Sequence, residues 1–201
     1  MKAFWDQRYQ QAEYVYGIAP NTFFKEELDK LNPGNLILPC EGEGRNAVYA
    51  AKKGWNVSAF DMSEAGKEKA SLLAKQNNAS IHYLVSDVMA IEYDPHHADM
   101  LALIYAHFPQ EIRTVAHRKM IDWVKPGGKI IIEAFNPSQL NNSSGGPKDN
   151  SMLYTIEMLQ EDFKDLIIES IEYKKVTLDE GAFHQGEADI IQMIASKKTS
   201  N

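Results

Sequence analysis

An α/β fold built on a doubly wound, largely parallel sheet is predicted from three observations. A short apolar run, Asn35-Leu36-Ile37-Leu38-Pro39, passes through Cys40-Glu41 into a loop holding Gly42 and Gly44, and an alanine-rich helical segment follows. Two further short apolar runs, ending in Asp61 and Asp87, come next, with helical segments in the alternation. The last two strand-like runs are only ten residues apart, which suits a hairpin better than a helical crossover. The final strand should therefore run antiparallel to the rest.

The first 21 residues carry Phe4, Trp5, Tyr9, Tyr14 and Tyr16 and end at Pro20-Asn21, an extension laid over the main domain. Trp5 and Tyr9 read as packing residues of a helix. Tyr14 and Tyr16, beside Gly17 in a loop, are candidates to cover a ligand on the substrate side. Thr22 suits the cap of a helix to about Leu31, stopped by Asn32-Pro33-Gly34. The helix after the glycine loop, about Asn46 to Lys53, ends at Gly54 with Lys52 and Lys53 near its negative end. Strand two is Asn56 to Phe60. Ser63 then caps a helix to about Gln76, and strand three begins near Ile81.

After Asp94-Pro95-His96-His97, the run Asp99 to Ile104 is a fourth buried strand, delivering Tyr105-Ala106-His107-Phe108-Pro109 to the ligand side. A helix from Glu111 to Trp123 leads through Pro126-Gly127-Gly128, a tight turn, to strand Lys129 to Phe135. Residues 136–154 read as a long polar loop of the kind often used as a lid. A helix from Thr155 to about Phe163 precedes strands of about Ile167 to Thr177 and Ala188 to Ser196. Neither a repeat nor a linker interrupts the pattern, so 1–201 reads as a single domain.

The net charge of -7 argues against a nucleic-acid partner, because polyanion binding needs a basic face. Lys52, Lys53, Lys67, Lys69 and Lys197-Lys198 read as solvated surface. The one cysteine, Cys40, excludes an intrachain disulfide and a cysteine-rich zinc site and suits a reducing compartment. The polar start and the lack of any run near the ~18 apolar residues of a membrane span predict a soluble, cytoplasmic protein without a membrane partner.

Gly42-Glu43-Gly44-Arg45-Asn46-Ala47 fits the G-x-G-x-x-G/A fingerprint, so a nicotinamide dinucleotide has to be weighed. Asp61, seventeen positions after Gly44, suits a ribose, and Asp87 an adenine. Charge argues for a different nucleoside. Glu41 and Glu43 flank the glycines and should repel a pyrophosphate, with only Arg45 to offset them. They would attract the sulfonium and ammonium groups of S-adenosylmethionine.

The order of elements resembles the class I S-adenosylmethionine-dependent methyltransferases over nearly the whole chain. That Rossmann-like fold implies three layers around seven strands in the order 3-2-1-4-5-7-6, with the last strand antiparallel. More narrowly, Phe4-Trp5-Asp6-Gln7-Arg8-Tyr9, Tyr14-Val15-Tyr16-Gly17, Gly42-Glu43-Gly44-Arg45-Asn46, His107-Phe108-Pro109 and Glu180-Gly181-Ala182-Phe183-His184-Gln185-Gly186 are similar to a bacterial subgroup near the tellurite-resistance methyltransferases. Leu38 and Cys40 stand where the class has an acid and its first glycine, which implies that Glu41 takes over part of that acid's role. The resemblance implies that residues 40–44 face the methionine portion, Asp61 the ribose, Met62 the adenine face, and Asp87 with Val88 the adenine edge. Asn46 and Tyr105 complete the candidate cofactor contacts.

Methyl transfer from a sulfonium is an in-line displacement that needs alignment and exclusion of water but no metal. His107 and His184 are the candidate catalytic residues, each able to bind an anion when protonated or accept a proton when neutral. The alternative for His107 is a backbone hydrogen bond that shapes the pocket. Arg113, on the substrate side, reaches either an acid or the substrate. His96 and His97 lack a third metal ligand at useful spacing, and Cys40 lacks an adjacent base. The expected activity is methyl transfer to a small soft nucleophile, a thiol or an oxyanion such as tellurite, by a monomer or homodimer. A catalytically silent cofactor-binding sensor or scaffold and a nicotinamide-dependent oxidoreductase are the alternatives.

Overall fold

The computed structural model describes residues 1–199. The chain packs as two compact units. The first comprises Met1–Glu92 with Glu180–Phe183, and the second Tyr93–Asp179 with the chain from His184 onward. The seven strands form a sheet in the order β3-β2-β1-β4-β5-β7-β6, as the family resemblance implies.

The first unit opens with helix α1 (Lys2–Tyr9) and helix α2 (Thr22–Leu28), then β1 (Asn35–Pro39), α3 (Arg45–Lys52), β2 (Asn56–Asp61), α4 (Glu64–Gln76) and β3 (His82–Val85). β1 and β2 pair in parallel, as do β2 and β3. Leu36, Ile37 and Leu38 are wholly buried, which explains the unbroken apolar run of β1: a parallel strand covered on both faces has no polar side. Ser63 caps α4 by accepting from the Gly66 N–H. For α2 the cap is Asn21, which accepts from Phe24 N–H, and not Thr22, and the helix stops at Leu28 instead of near Leu31. Either residue has a suitable oxygen, but Asn21 occupies the extended position from which a side chain reaches the third residue of the helix.

The second unit contains β4 (Ala98–Ile104), α5 (Gln110–Trp123), β5 (Val124–Phe135), α6 (Ile156–Asp162), β6 (Ile167–Asp179) and β7 (Gln185–Ser196). β4 and β5 are parallel, while β7 runs antiparallel to both β5 and β6. The expected turn at Pro126-Gly127-Gly128 lies inside β5 as an irregularity. Gly127 has a left-handed φ of +79°, and its N–H donates to Lys197 O. The hairpin strands are longer than the sequence suggests, so five residues, 180–184, join them where ten were expected.

The stretch 136–154 is not structureless. It holds two 3-10 helices, Pro137–Asn141 and Asn150–Met152, and is tied down by Gln139. That wholly buried amide donates to Ser144 Oγ and Gly145 O and accepts from Asn142 Nδ2 and the Asp189 N–H. A buried amide must meet its hydrogen-bonding capacity, and here that capacity organises the loop.

Candidate functional site

The glycine loop of the first unit is built on Asp61. At the end of β2 its carboxylate accepts from the Gly42 N–H at 3.1 Å through Oδ2 and from the Ser63 N–H at 3.0 Å through Oδ1. Burial pushes its pKa up to about 6. Tyr83 of β3 pins the other side of the loop, its hydroxyl donating to Gly42 O at 2.6 Å. The sequence shows Tyr83 only as a core residue of a strand, because nothing local reveals where a buried phenol finds its partner.

Both loop glycines have left-handed backbones, Gly42 at φ +60° and Gly44 at φ +86°. Their missing side chains make room for the protein itself. A Cβ on Gly42 would stand 2.6 Å from the Tyr9 hydroxyl, and one on Gly44 2.6 Å from Ala70 Cβ. The close approach expected for a ligand is thus, on these sides, an approach of α1 and α4. Cys40 also has positive φ, +54°, at the end of β1, and burial raises its thiol well above the usual range, which disfavours the thiolate.

The loop carboxylates correct the charge argument. Glu41 Oε1 accepts from the Ala47 N–H at 2.7 Å and so caps α3, whose N-terminal Gly44 offers no side chain. Burial raises its pKa to about 7. Glu43 turns to the N-terminal segment, accepting from the Val15 N–H at 2.9 Å and pairing with Lys69 at 2.7 Å. Lys69 is thereby a half-buried ion-pair partner and not solvated surface. Asn46 is likewise engaged internally, its Oδ1 accepting from the Asn21 N–H at 2.9 Å. Both side chains thus have partners within the protein.

Further along the unit, Met62, Val85, Ser86 and Asp87 line a pocket bordered by Met1 and Lys2. Asp87 is exposed and its Oδ1 accepts from the Met89 N–H at 2.8 Å, while Val88 is buried behind it. Tyr14 belongs elsewhere. It packs against Val48, Leu73 and Ala74 and donates to Lys69 O at 3.1 Å. Tyr16 accepts from Arg8 Nη1 at 3.0 Å.

In the second unit, Tyr105 follows β4 with φ +54° and stacks on Phe135 at 4.7 Å. His184 is buried edge-on to both rings, 4.7 Å from Tyr105 and 5.5 Å from Phe135. His107 corrects the expectation of a proton carrier. Its Nδ1–H donates to Met152 O at 2.7 Å and its Nε2 accepts from the Phe135 N–H at 3.1 Å, so one tautomer is locked and no nitrogen is left for substrate. Burial lowers its pKa to about 4. Arg113 reaches an acid and not the substrate, donating to Asp162 at 2.8 Å beside Thr114 and the buried His117. Among the described residues no three His, Cys, Asp or Glu side chains gather as a metal site, and no helix is long and apolar enough to cross a membrane.

Residues 39–128, which include the glycine loop, Asp61 and the pocket at Asp87, match the family described as "Methyltransferase domain". The ubiquinone biosynthesis O-methyltransferase of Rickettsia akari (strain Hartford) is 30% identical over 102 residues, covering 50% of this chain and 39% of that protein. That of Rickettsia felis is 28% identical over 101 residues, covering 50% and 41%. The chain therefore spans less than half the length of these relatives.

Among solved structures, a protein studied for converting a disulfide bond into a thioacetal group during echinomycin biosynthesis superposes with a TM-score of 0.81 at 16% identity, over 100% of this chain and 93% of that one. TehB from Haemophilus influenzae gives 0.73 at 18% identity, over 98% and 67%. At such identities the likeness shows the fold. The fold and the match of residues 39–128 to the methyltransferase-domain family together imply S-adenosylmethionine as the cofactor. The residues fit that group: Met62 and Val85 give the pocket apolar walls, Asp87 sets an exposed carboxylate at its edge, and Asp61 is an acceptor buried beside the loop.

Proposed function

We propose that this protein is an S-adenosylmethionine-dependent methyltransferase whose acceptor is a small soft nucleophile, a thiol or an oxyanion such as tellurite. The observation that carries the reading is Asp61, which holds Gly42 at 3.1 Å next to Met62 of the pocket, within the stretch that matches the methyltransferase domain. In this reading Asp61 takes the ribose hydroxyls, Met62 and Val85 the purine face, and Asp87 with Val88 its edge. Cys40, Glu41, Gly42 and Gly44 shape the methionine end. The bound cofactor supplies an electrophilic methyl group on a sulfonium.

The chain's own residues then orient the acceptor and exclude water. Because both nitrogens of His107 are held by the backbone, that imidazole moves no proton, which favours an acceptor that arrives as its anion. His184, with Tyr105 and Phe135, is read as the acceptor side. An oxygen acceptor, as in the name of the Rickettsia relatives, is the second reading. A cytoplasmic location, as monomer or homodimer, goes with the proposal, and the single cysteine supports the location.

The test is calorimetric titration with S-adenosylmethionine, its demethylated product and both nicotinamide cofactors. Micromolar binding of the first two alone is expected. Asp61→Ala should weaken it about tenfold or more, since a charge-assisted hydrogen bond is lost. His184→Ala should leave binding intact and lower turnover of thiols. Binding without transfer to any thiol, oxyanion or phenol would favour the sensor or scaffold reading, and loss of cofactor binding in His184→Ala would remove that residue from the acceptor side.

A further inference from the structure

The four arginines of the chain differ in how their charge is met. Arg45 pairs with Glu180 at 3.0 Å and Arg113 with Asp162 at 2.8 Å, while Arg118 is exposed on α5. Arg8 is half-buried, yet among the described residues no carboxylate pairs with it. Its guanidinium carbon lies 4.6 Å from the Phe4 ring centre, 5.6 Å from Trp5 and 4.5 Å from Phe183, and its Nη1 donates to Tyr16 Oη at 3.0 Å.

The carboxylates of Asp6, Glu43 and Glu180 are engaged elsewhere. Asp6 holds Lys2 and the Ser63 hydroxyl. Glu43 holds Lys69 and Val15 N–H. Glu180 accepts from Arg45 and Asn21. A cation stacked on rings keeps the in-plane N–H groups of its fork for a planar or tetrahedral anion, and the rings lower the local dielectric that the anion would feel. The cluster also adjoins the glycine loop. Tyr16 packs edge-on to Tyr9 at 6.4 Å, and the Tyr9 hydroxyl sits against Gly42.

We propose that Arg8, framed by Phe4, Trp5, Phe183 and Tyr16, binds the anionic group of the methyl acceptor, a carboxylate or an inorganic oxyanion. The acceptor class is thereby a small acid, which suits a protein of net charge -7 that has to single out an anion with one dedicated cation. The assignment rests on the methyltransferase reading for what the anion is used for, but the anion site itself is open to an independent test.

Binding of 3-mercaptopropionate, sulfate and uncharged 2-mercaptoethanol is followed by calorimetry and by tryptophan fluorescence, Trp5 being part of the cluster. The wild type should bind at least one anionic probe more tightly than 2-mercaptoethanol, and which of the two it prefers separates carboxylate from oxyanion. Arg8→Gln should lose about tenfold or more of that affinity while keeping its affinity for S-adenosylmethionine. Arg8→Lys, which keeps the charge but not the fork, should fall between them, and it carries the test if Arg8→Gln does not fold. A wild type that fails to distinguish anionic from neutral probes, or a variant that binds anions as the wild type does, overturns the proposal. Anion discrimination in a protein that binds no S-adenosylmethionine would overturn the methyl-transfer reading and leave the anion site standing.

Discussion

In the first unit, Glu41 and Asp61 are buried carboxylates held mainly by backbone N–H groups, those of Ala47, Gly42 and Ser63. In the second, Asp162 is buried among the side chains of Arg113, Thr114 and His117. Burial dominates the first pair and raises them to about 7 and about 6. It also acts on Asp162, but the bonds from His117, Arg113 and Thr114 outweigh it and hold that carboxyl well below the usual range. An acid met by neutral donors in a dry setting still gains from a ligand's hydroxyls or cation. An acid met by charged partners has its charge compensated already and serves the fold.

The strongest way to break this contrast is Asp162→Ala. It strands the Arg113 charge and the His117 N–H, and it should cost about 3–5 kcal/mol in urea unfolding. A cost near 1 kcal/mol would mean that the second unit's acid is no more structural than those of the first.

Next in size is a pH effect at Glu41. Its folded pKa, about 7, lies above the ordinary 4.5 of a glutamate, so its favourable contribution is complete below about 4.5 and is lost as pH rises through about 7. Glu41→Gln cannot ionise. Between pH 4 and pH 8 its stability should therefore improve relative to wild type, by up to about 3 kcal/mol in paired melts. A pH-independent difference would show that Glu41 stays charged at little cost.

His107 sharpens the comparison from the opposite sign. Lowered by burial to about 4, its contribution is full above about 6.5 and is lost as pH falls through about 4. His107→Phe leaves Met152 O and Phe135 N–H without the ring and should cost about 2 kcal/mol. The pH profile of turnover should keep its shape. Disappearance of an ionisation between pH 5 and 8 in that variant would restore His107 as a proton carrier.

The strands and most helix boundaries were legible because their causes are local. β1 and β4 hold unbroken apolar runs, Leu36 to Leu38 and Met100 to Ile104, as strands buried on both faces do, and Ser63 and Thr155 cap the helices they precede. The site was legible only in part. Gly42, Gly44, Asp61 and Asp87 stand out by residue type and spacing. Tyr83 and Arg8 do not, and the targets of Glu43, Asn46, His107 and Arg113 were read differently from sequence or left open.

The chain's composition and patterning alone determined the strand and helix alternation and the reversal of the last strand. Those follow from periodicity, turn residues and capping, whose energies act within a few residues. Only the tertiary structure decided that Glu43 serves Val15 and Lys69, that His107 is a clamp between Met152 and Phe135, and that Arg8 is met by rings in place of a carboxylate. A buried polar group has to find a partner, and folding supplies that partner from tens of residues away, where no local pattern records it.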